Sequence, residues 1–138
     1  MAKWVKVLYL VTTNKNHPAF KLKDKHNNIK IIFYENKVDL TNLLKTMKAE
    51  YGAERITIQS GGTINSQLVR QGLIDHVSIV IAPCLVGGKN TPSLIGGDSL
   101  HTQEDLVNIK PLKLVRCTVL KNSYIHLLYD VVNTTQIS

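Results

Sequence analysis

The hydrophobic residues of this chain come in short blocks, and the spacing within the blocks changes along the sequence. Trp4–Val11 is a run of branched and aromatic residues broken only by Lys6, which predicts a strand buried on both faces. Ile29–Tyr34 predicts a second strand, after a polar stretch, Thr12–Asn28, read as a loop with a short turn. Over Val38–Tyr51 the apolar residues Leu40, Leu43, Leu44 and Met47 recur at three and four, which predicts an amphipathic helix. Asp39 or Asn36 stands where a cap is needed, and Gly52 stands where a helix commonly ends. Arg55–Gln59 reads as a short strand, Ser60-Gly61-Gly62 as a turn, and Thr63–Gly72 as a helix with Ile64, Leu68 and Leu73 on one face. His76–Ala82 predicts a strand and Pro83–Thr102 a long loop. Leu112–Leu120 and Tyr124–Val132 are two more strands, joined tightly through Lys121-Asn122-Ser123. Strands and helices alternate in the first half, so the expected architecture is α/β in three layers. One mostly parallel sheet would end in a C-terminal antiparallel hairpin and be flanked by the helices.

Composition narrows the class. With 138 residues, 43% hydrophobic and 20% charged, the chain is expected to form a single folded domain over 1–138. Its apolar runs are too short to span a membrane, and the N-terminus lacks the pattern of a signal peptide. Two cysteines, Cys84 and Cys117, make neither a disulfide scaffold nor a zinc site, and a cytoplasmic setting is expected. Both thiols read as buried and structural. The net charge of +7 raises a nucleic-acid reading. The basic residues are scattered through polar stretches, however, and only 6% of residues are aromatic, too few for a base-stacking sheet. No nucleic-acid partner is therefore expected; a positive field of this size also suits small phosphorylated ligands.

The segment Ile56–Asn65 carries the best local signal for chemistry: strand, glycine pair, helix. Glycines let a ligand approach the backbone, and the free N–H groups at a helix start attract anions. Thr63, Asn65 and Ser66 add hydroxyl and amide groups. The spacing is neither that of a Walker loop nor G-x-G-x-x-G, and the same pattern also makes a tight turn that binds nothing. Two further pairs, Gly87-Gly88 and Gly96-Gly97, read either as plain turns or as a flap closing over a ligand. None of the five histidines has metal-ligand spacing, and no metal is expected. His76 reads as a satisfied or solvated histidine and His126 as a packing residue.

Gln59-Ser-Gly-Gly-Thr-Ile-Asn-Ser-Gln-Leu-Val-Arg-Gln-Gly-Leu-Ile-Asp75 resembles the cofactor-binding segment of the riboflavin-biosynthesis reductases. These are the C-terminal reductase domains of the bifunctional deaminase/reductase, with a dihydrofolate-reductase-like fold. Val80–Leu94 resembles the next strand and loop of that family, Leu112–Val132 its closing hairpin and Trp4–Pro18 its mid-domain strand. The resemblance implies an oxidoreductase that transfers hydride from NADPH to the ribose of a phosphoribosylamino-pyrimidine, that is, a 5-amino-6-(5-phosphoribosylamino)uracil reductase. It implies that Ser60, Gly61, Gly62, Thr63, Ile64 and Asn65 bind the cofactor, and that Thr13, with Lys15 near it, meets the adenosine 2′-phosphate. Gln59 falls where many members carry a substrate-binding Glu, and Asn90 falls where an Asp is expected. The family's N-terminal portion is expected to be missing, leaving an apolar edge or face open; a homodimer would cover it or pair the last hairpins. A non-catalytic nucleotide-binding fragment and a related reductase of other substrate are the alternative readings.

Overall fold

The computed structural model describes residues 5–134, which divide into two compact units between Arg55 and Ile56. In the first unit, β1 (Leu8–Thr12) and β2 (Ile29–Phe33) form a parallel pair, with Leu8 opposite Ile29 and Thr12 opposite Phe33. Parallel strands need a crossover, and α1 (Ala19–Lys23) supplies part of it. Ala19 and Ile29 are buried where this crossover meets the sheet. The strand expected from Trp4 starts only at Leu8; Trp4 itself lies outside the described residues. The β1 side chains are half-buried rather than buried on both faces.

Then comes α2 (Leu40–Ala49), and its cap resolves the choice left by the sequence. Asp39, not Asn36, accepts from the Asn42 N–H at 2.9 Å, satisfying one orphan donor of the first turn. Gly52, at φ +65°, turns the chain out of the helix.

The second unit holds α3 (Gly62–Arg70) and an antiparallel sheet of β3 (His76–Ile81), β4 (Leu112–Val119) and β5 (Ile125–Val131), in the order β3-β5-β4. Gly72, at φ +67°, follows α3, as the sequence predicts for its end. Leu68 is 3% exposed and is the one buried apolar residue of α3, whereas Ile64, expected on the same covered face, is 48% exposed. The β4–β5 connection is as tight as predicted: Asn122 and Ser123 take φ of 57° and 63°. Asn tolerates that region because its short amide bonds locally.

The expected single sheet is corrected in two respects. Arg55–Gln59, placed there as a strand, pairs with no strand among the described residues. The strands form one parallel pair and one antiparallel triplet, not a mostly parallel sheet. The β-branched content of Arg55–Gln59 gave it strand propensity, but propensity makes no ladder without a neighbour to bond. Both cysteines are exposed, correcting the expectation of buried thiols. Cys117 lies on β4, which is an edge strand with little cover, so its apolar strand context did not translate into burial.

Candidate functional site

The site expected at Ser60–Asn65 is the start of α3. Gly61 is the N-cap, at φ −82° and ψ 168°, and no side chain caps the helix. The Asn65 N–H is the first to close the helical ladder, donating to Gly61 O at 3.1 Å. The N–H groups of Gly62, Thr63 and Ile64 come before that bond, so the turn itself leaves them unsatisfied. Ser60, Gly61, Thr63 and Ile64 are exposed around them. A Cβ built on Gly61 meets nothing within 4 Å, so the approach to these donors is open at that residue. Partial positive charge, three orphan donors and an open approach are the features with which helix starts can take an anion.

Gly62 behaves differently. A Cβ there would lie 2.7 Å from Ser93 O and 3.0 Å from Gly96 N. Its glycine is required by the approach of the loop that follows β3, and Gly96 N donates to Gly62 O at 3.0 Å. The same loop explains the Gly96-Gly97 pair. A Cβ on Gly96 would come 3.2 Å from Gly62 C, and one on Gly97 2.8 Å from Ser66 Oγ. Gly97 also has φ +89°, which L side chains rarely adopt. This pair docks on α3. Gly87 stands in open space, and Gly88 lies against the Thr91 hydroxyl.

Asn65 and Ser60 face each other. Ser60 Oγ donates to Asn65 Oδ1 at 2.6 Å, and Asn65 Nδ2 donates to Ser60 O at 3.3 Å and to Leu94 O at 3.0 Å. Ser66 is buried and donates to Thr63 O at 3.0 Å. Farther along the loop, the backbone N–H groups of His101 and Thr102 bond Asp105, each at 2.9 Å, and hold its carboxyl below the ordinary carboxylate range. Gln59 is exposed immediately before the turn.

In the first unit, Thr13 is exposed just past the C-terminal end of β1. The turn there is held by its own side chains: Asn14 N donates to Thr12 Oγ1 at 3.0 Å, and Asn16 N to Asn14 Oδ1 at 2.9 Å. Carboxyl ends of parallel strands are where open α/β sheets take ligands. Lys15 lines an open cavity of about 300 Å³ with Phe20 and Phe33, and its Nζ stands 5.9 Å over the Phe33 ring. The two rings meet edge to face at 6.4 Å. Sequence reasoning named Thr13 and Lys15 but missed both aromatics, because Phe20 falls in a stretch read as loop and Phe33 looks like any strand residue.

On the sheet of the second unit, His76 Nδ1 pairs with Asp130 at 2.8 Å, and His126 Nε2 with the Ser78 hydroxyl at 2.8 Å. His76 is thus satisfied, as read from the sequence. His126 is half-buried on β5 and hydrogen-bonds Ser78 as well. Among the described residues no group of histidines, cysteines and carboxylates is arranged to hold a metal.

Comparison with known proteins gives the class first. A pyrimidine reductase-like protein from Corynebacterium diphtheriae superposes with a TM-score of 0.68 at 19% identity, covering 90% of this chain and 50% of that one. RibD from Acinetobacter baumannii superposes at 0.66 and 18% identity, covering 90% of this chain and 37% of that one. The fold is therefore that of the RibD reductase domains, the dihydrofolate-reductase-like class that the motif around Gly61-Gly62 implies. Residues 6–125 match the RibD C-terminal domain family, and the chain belongs to that family. Its curated relatives include a 2,5-diamino-6-ribosylamino-4(3H)-pyrimidinone 5′-phosphate reductase of Archaeoglobus fulgidus, 30% identical over 91 residues, which are 65% of this chain and 41% of that protein. The same-named protein of Methanothermobacter thermautotrophicus is 32% identical over 74 residues, 54% of this chain and 34% of that protein. The chain spans less than half the length of these relatives. No helix among the described residues is long and apolar enough to cross a membrane.

Proposed function

We propose that this chain binds NADPH at the start of α3 and belongs to a reductase that transfers hydride to the ribose of a phosphoribosylamino-pyrimidine 5′-phosphate. The observation that carries this reading is the uncapped turn Gly61–Ile64. Its three orphan N–H groups sit beside an open glycine, in a segment whose family includes reductases of that substrate class. The residues fit a dinucleotide. Gly62, Thr63 and Ile64 offer backbone donors to the phosphates beside Gly61, and the Thr63 hydroxyl adds one more. Thr13 and Lys15 are assigned to the 2′-phosphate on their own chemistry, a hydroxyl donor and a cation with no carboxylate in sequence before Asp24. When bound, the cofactor supplies the hydride; the chain's task is to hold and orient it. Gln59 would contact the substrate by donating and accepting hydrogen bonds. As an amide it takes up no proton, so a proton required by the reaction comes from another group.

The test is turnover. Mixed with NADPH and the 5′-phosphorylated ribosylamino-pyrimidinone, the protein is expected to consume NADPH absorbance and yield the ribityl product in equal amounts. NADPH consumption without a ribityl product would exclude the assigned substrate.

A homodimer is part of the same proposal. The edge strand β4 leaves Leu114 52% and Val119 75% exposed, together with Leu112 and Val115. An apolar edge of this kind pairs readily with a second copy. Light scattering is expected to give twice the chain mass at micromolar concentration. A monomer mass throughout a rising concentration series would remove this part of the proposal.

A further inference from the structure

The loop 93–98 is laid along one face of α3. Gly62, Ser66 and Arg70 are four apart and share that face. Gly62 meets Ser93 and Gly96, Ser66 meets Gly97, and Arg70 Nη2 donates to Asp98 O. Asn65 makes a separate tie at the N-terminal end, and its groups are committed. Both Nδ2 hydrogens go to backbone carbonyls, Ser60 O before the helix and Leu94 O on the loop, while Oδ1 accepts from Ser60 Oγ. A carboxamide is suited to this junction because it carries two donors and an acceptor in one short planar group; a carboxylate has no donor to give the two carbonyls.

We propose that Asn65 is a positioning residue for the dinucleotide phosphates and not a ligand to them. It holds Ser60 and Gly61 in front of the orphan N–H groups and clamps the Leu94 end of the loop beside them, so that the anion site is preformed. This rests on the reading of α3 as the phosphate site. It replaces the direct contact that the family resemblance implies for Asn65.

The experiment compares Asn65→Ala with Arg70→Ala. Alanine favours helix, so Asn65→Ala leaves α3 itself intact. Arg70 ties the far end of the loop through Asp98 O; its guanidinium lies beside Gly97 near Ser66, so both variants are titrated in high salt, where that charge is largely screened from the phosphates. NADPH is titrated into each variant by calorimetry, and exchange of the Gly96 amide, which bonds Gly62 O, is followed by NMR without ligand. Asn65→Ala is expected to speed Gly96 exchange and weaken NADPH by about tenfold or more, the scale of one lost organising contact. Arg70→Ala is expected to keep NADPH affinity within about twofold. A loop that matters only for stability would move both variants together, and that result overturns the proposal. So does an Asn65→Ala protein with unchanged Gly96 exchange, or one with faster exchange and unchanged affinity. If the unsubstituted protein binds no NADPH, the phosphate-site reading fails and the link from Asn65 to a cofactor fails with it; the exchange data alone then report whether Asn65 holds the loop.

Discussion

Gly61→Asp is expected to abolish NADPH binding while leaving the fold as stable as before. Gly61 has an extended backbone that any residue adopts, and its Cβ would enter open space. Asp is a better N-cap than Gly by a few tenths of a kcal/mol, so the melting temperature should hold or rise slightly. The new carboxylate accepts from the N–H groups of the first turn, which the phosphates need, and sets a negative charge in their place. Each charge-assisted hydrogen bond contributes about 1.5–3 kcal/mol, so losing two weakens binding by more than about a hundredfold. Gly62→Asp should also abolish binding, but for a mixed reason. Its Cβ would collide with Ser93 O at 2.7 Å and press on Gly96 N at 3.0 Å, both backbone atoms. Displacing that loop costs about 1–3 kcal/mol, read as a lower melting temperature. Calorimetry beside thermal melts separates the two: binding lost at full stability for Gly61→Asp, binding and stability lost together for Gly62→Asp. An unaffected Gly61→Asp protein would mean that the start of α3 meets no phosphate.

The second large effect is selectivity for the phosphorylated cofactor. A 2′-phosphate adds nearly two negative charges, and one or two contacts from Thr13 and Lys15 should favour NADPH over NADH by about ten- to a hundredfold. Lys15→Ala should erase most of that preference and leave NADH affinity nearly unchanged. The preference should shrink as salt rises, because Thr13 and Lys15 are exposed. Equal affinity for the two cofactors in the unsubstituted protein would remove Thr13 and Lys15 from the site.

Much of this was legible in the sequence because it is locally encoded. The three-and-four spacing over Leu40–Met47 gave α2, Asp39 its cap, and Gly52 and Gly72 the left-handed exits. The glycine pair at 61–62 marked the start of α3 for the same reason. What stayed hidden depends on contacts distant in sequence. Gly61 and Gly62 look alike in the sequence, yet one is open and the other packs against residues some thirty positions on. Nothing near Gly96-Gly97 shows that its partner is the Gly62–Ser66 face of a helix. The commitment of Asn65 to Leu94 is invisible until the loop is in place. Arg55–Gln59 failed in the other direction: its local pattern reads as strand, but strand formation needs a neighbour that local pattern does not report.

The most direct measurement is an NMR titration of the isotope-labelled protein with NADPH, following the backbone amides. The expected result is saturable shifts centred on Gly62, Thr63 and Ile64, the amides with orphan donors, and on Gly61 beside them, with smaller ones at Asn65. Saturating shifts that spare Gly61–Ile64, or none at millimolar NADPH, would contradict the assignment of the start of α3 as the phosphate site.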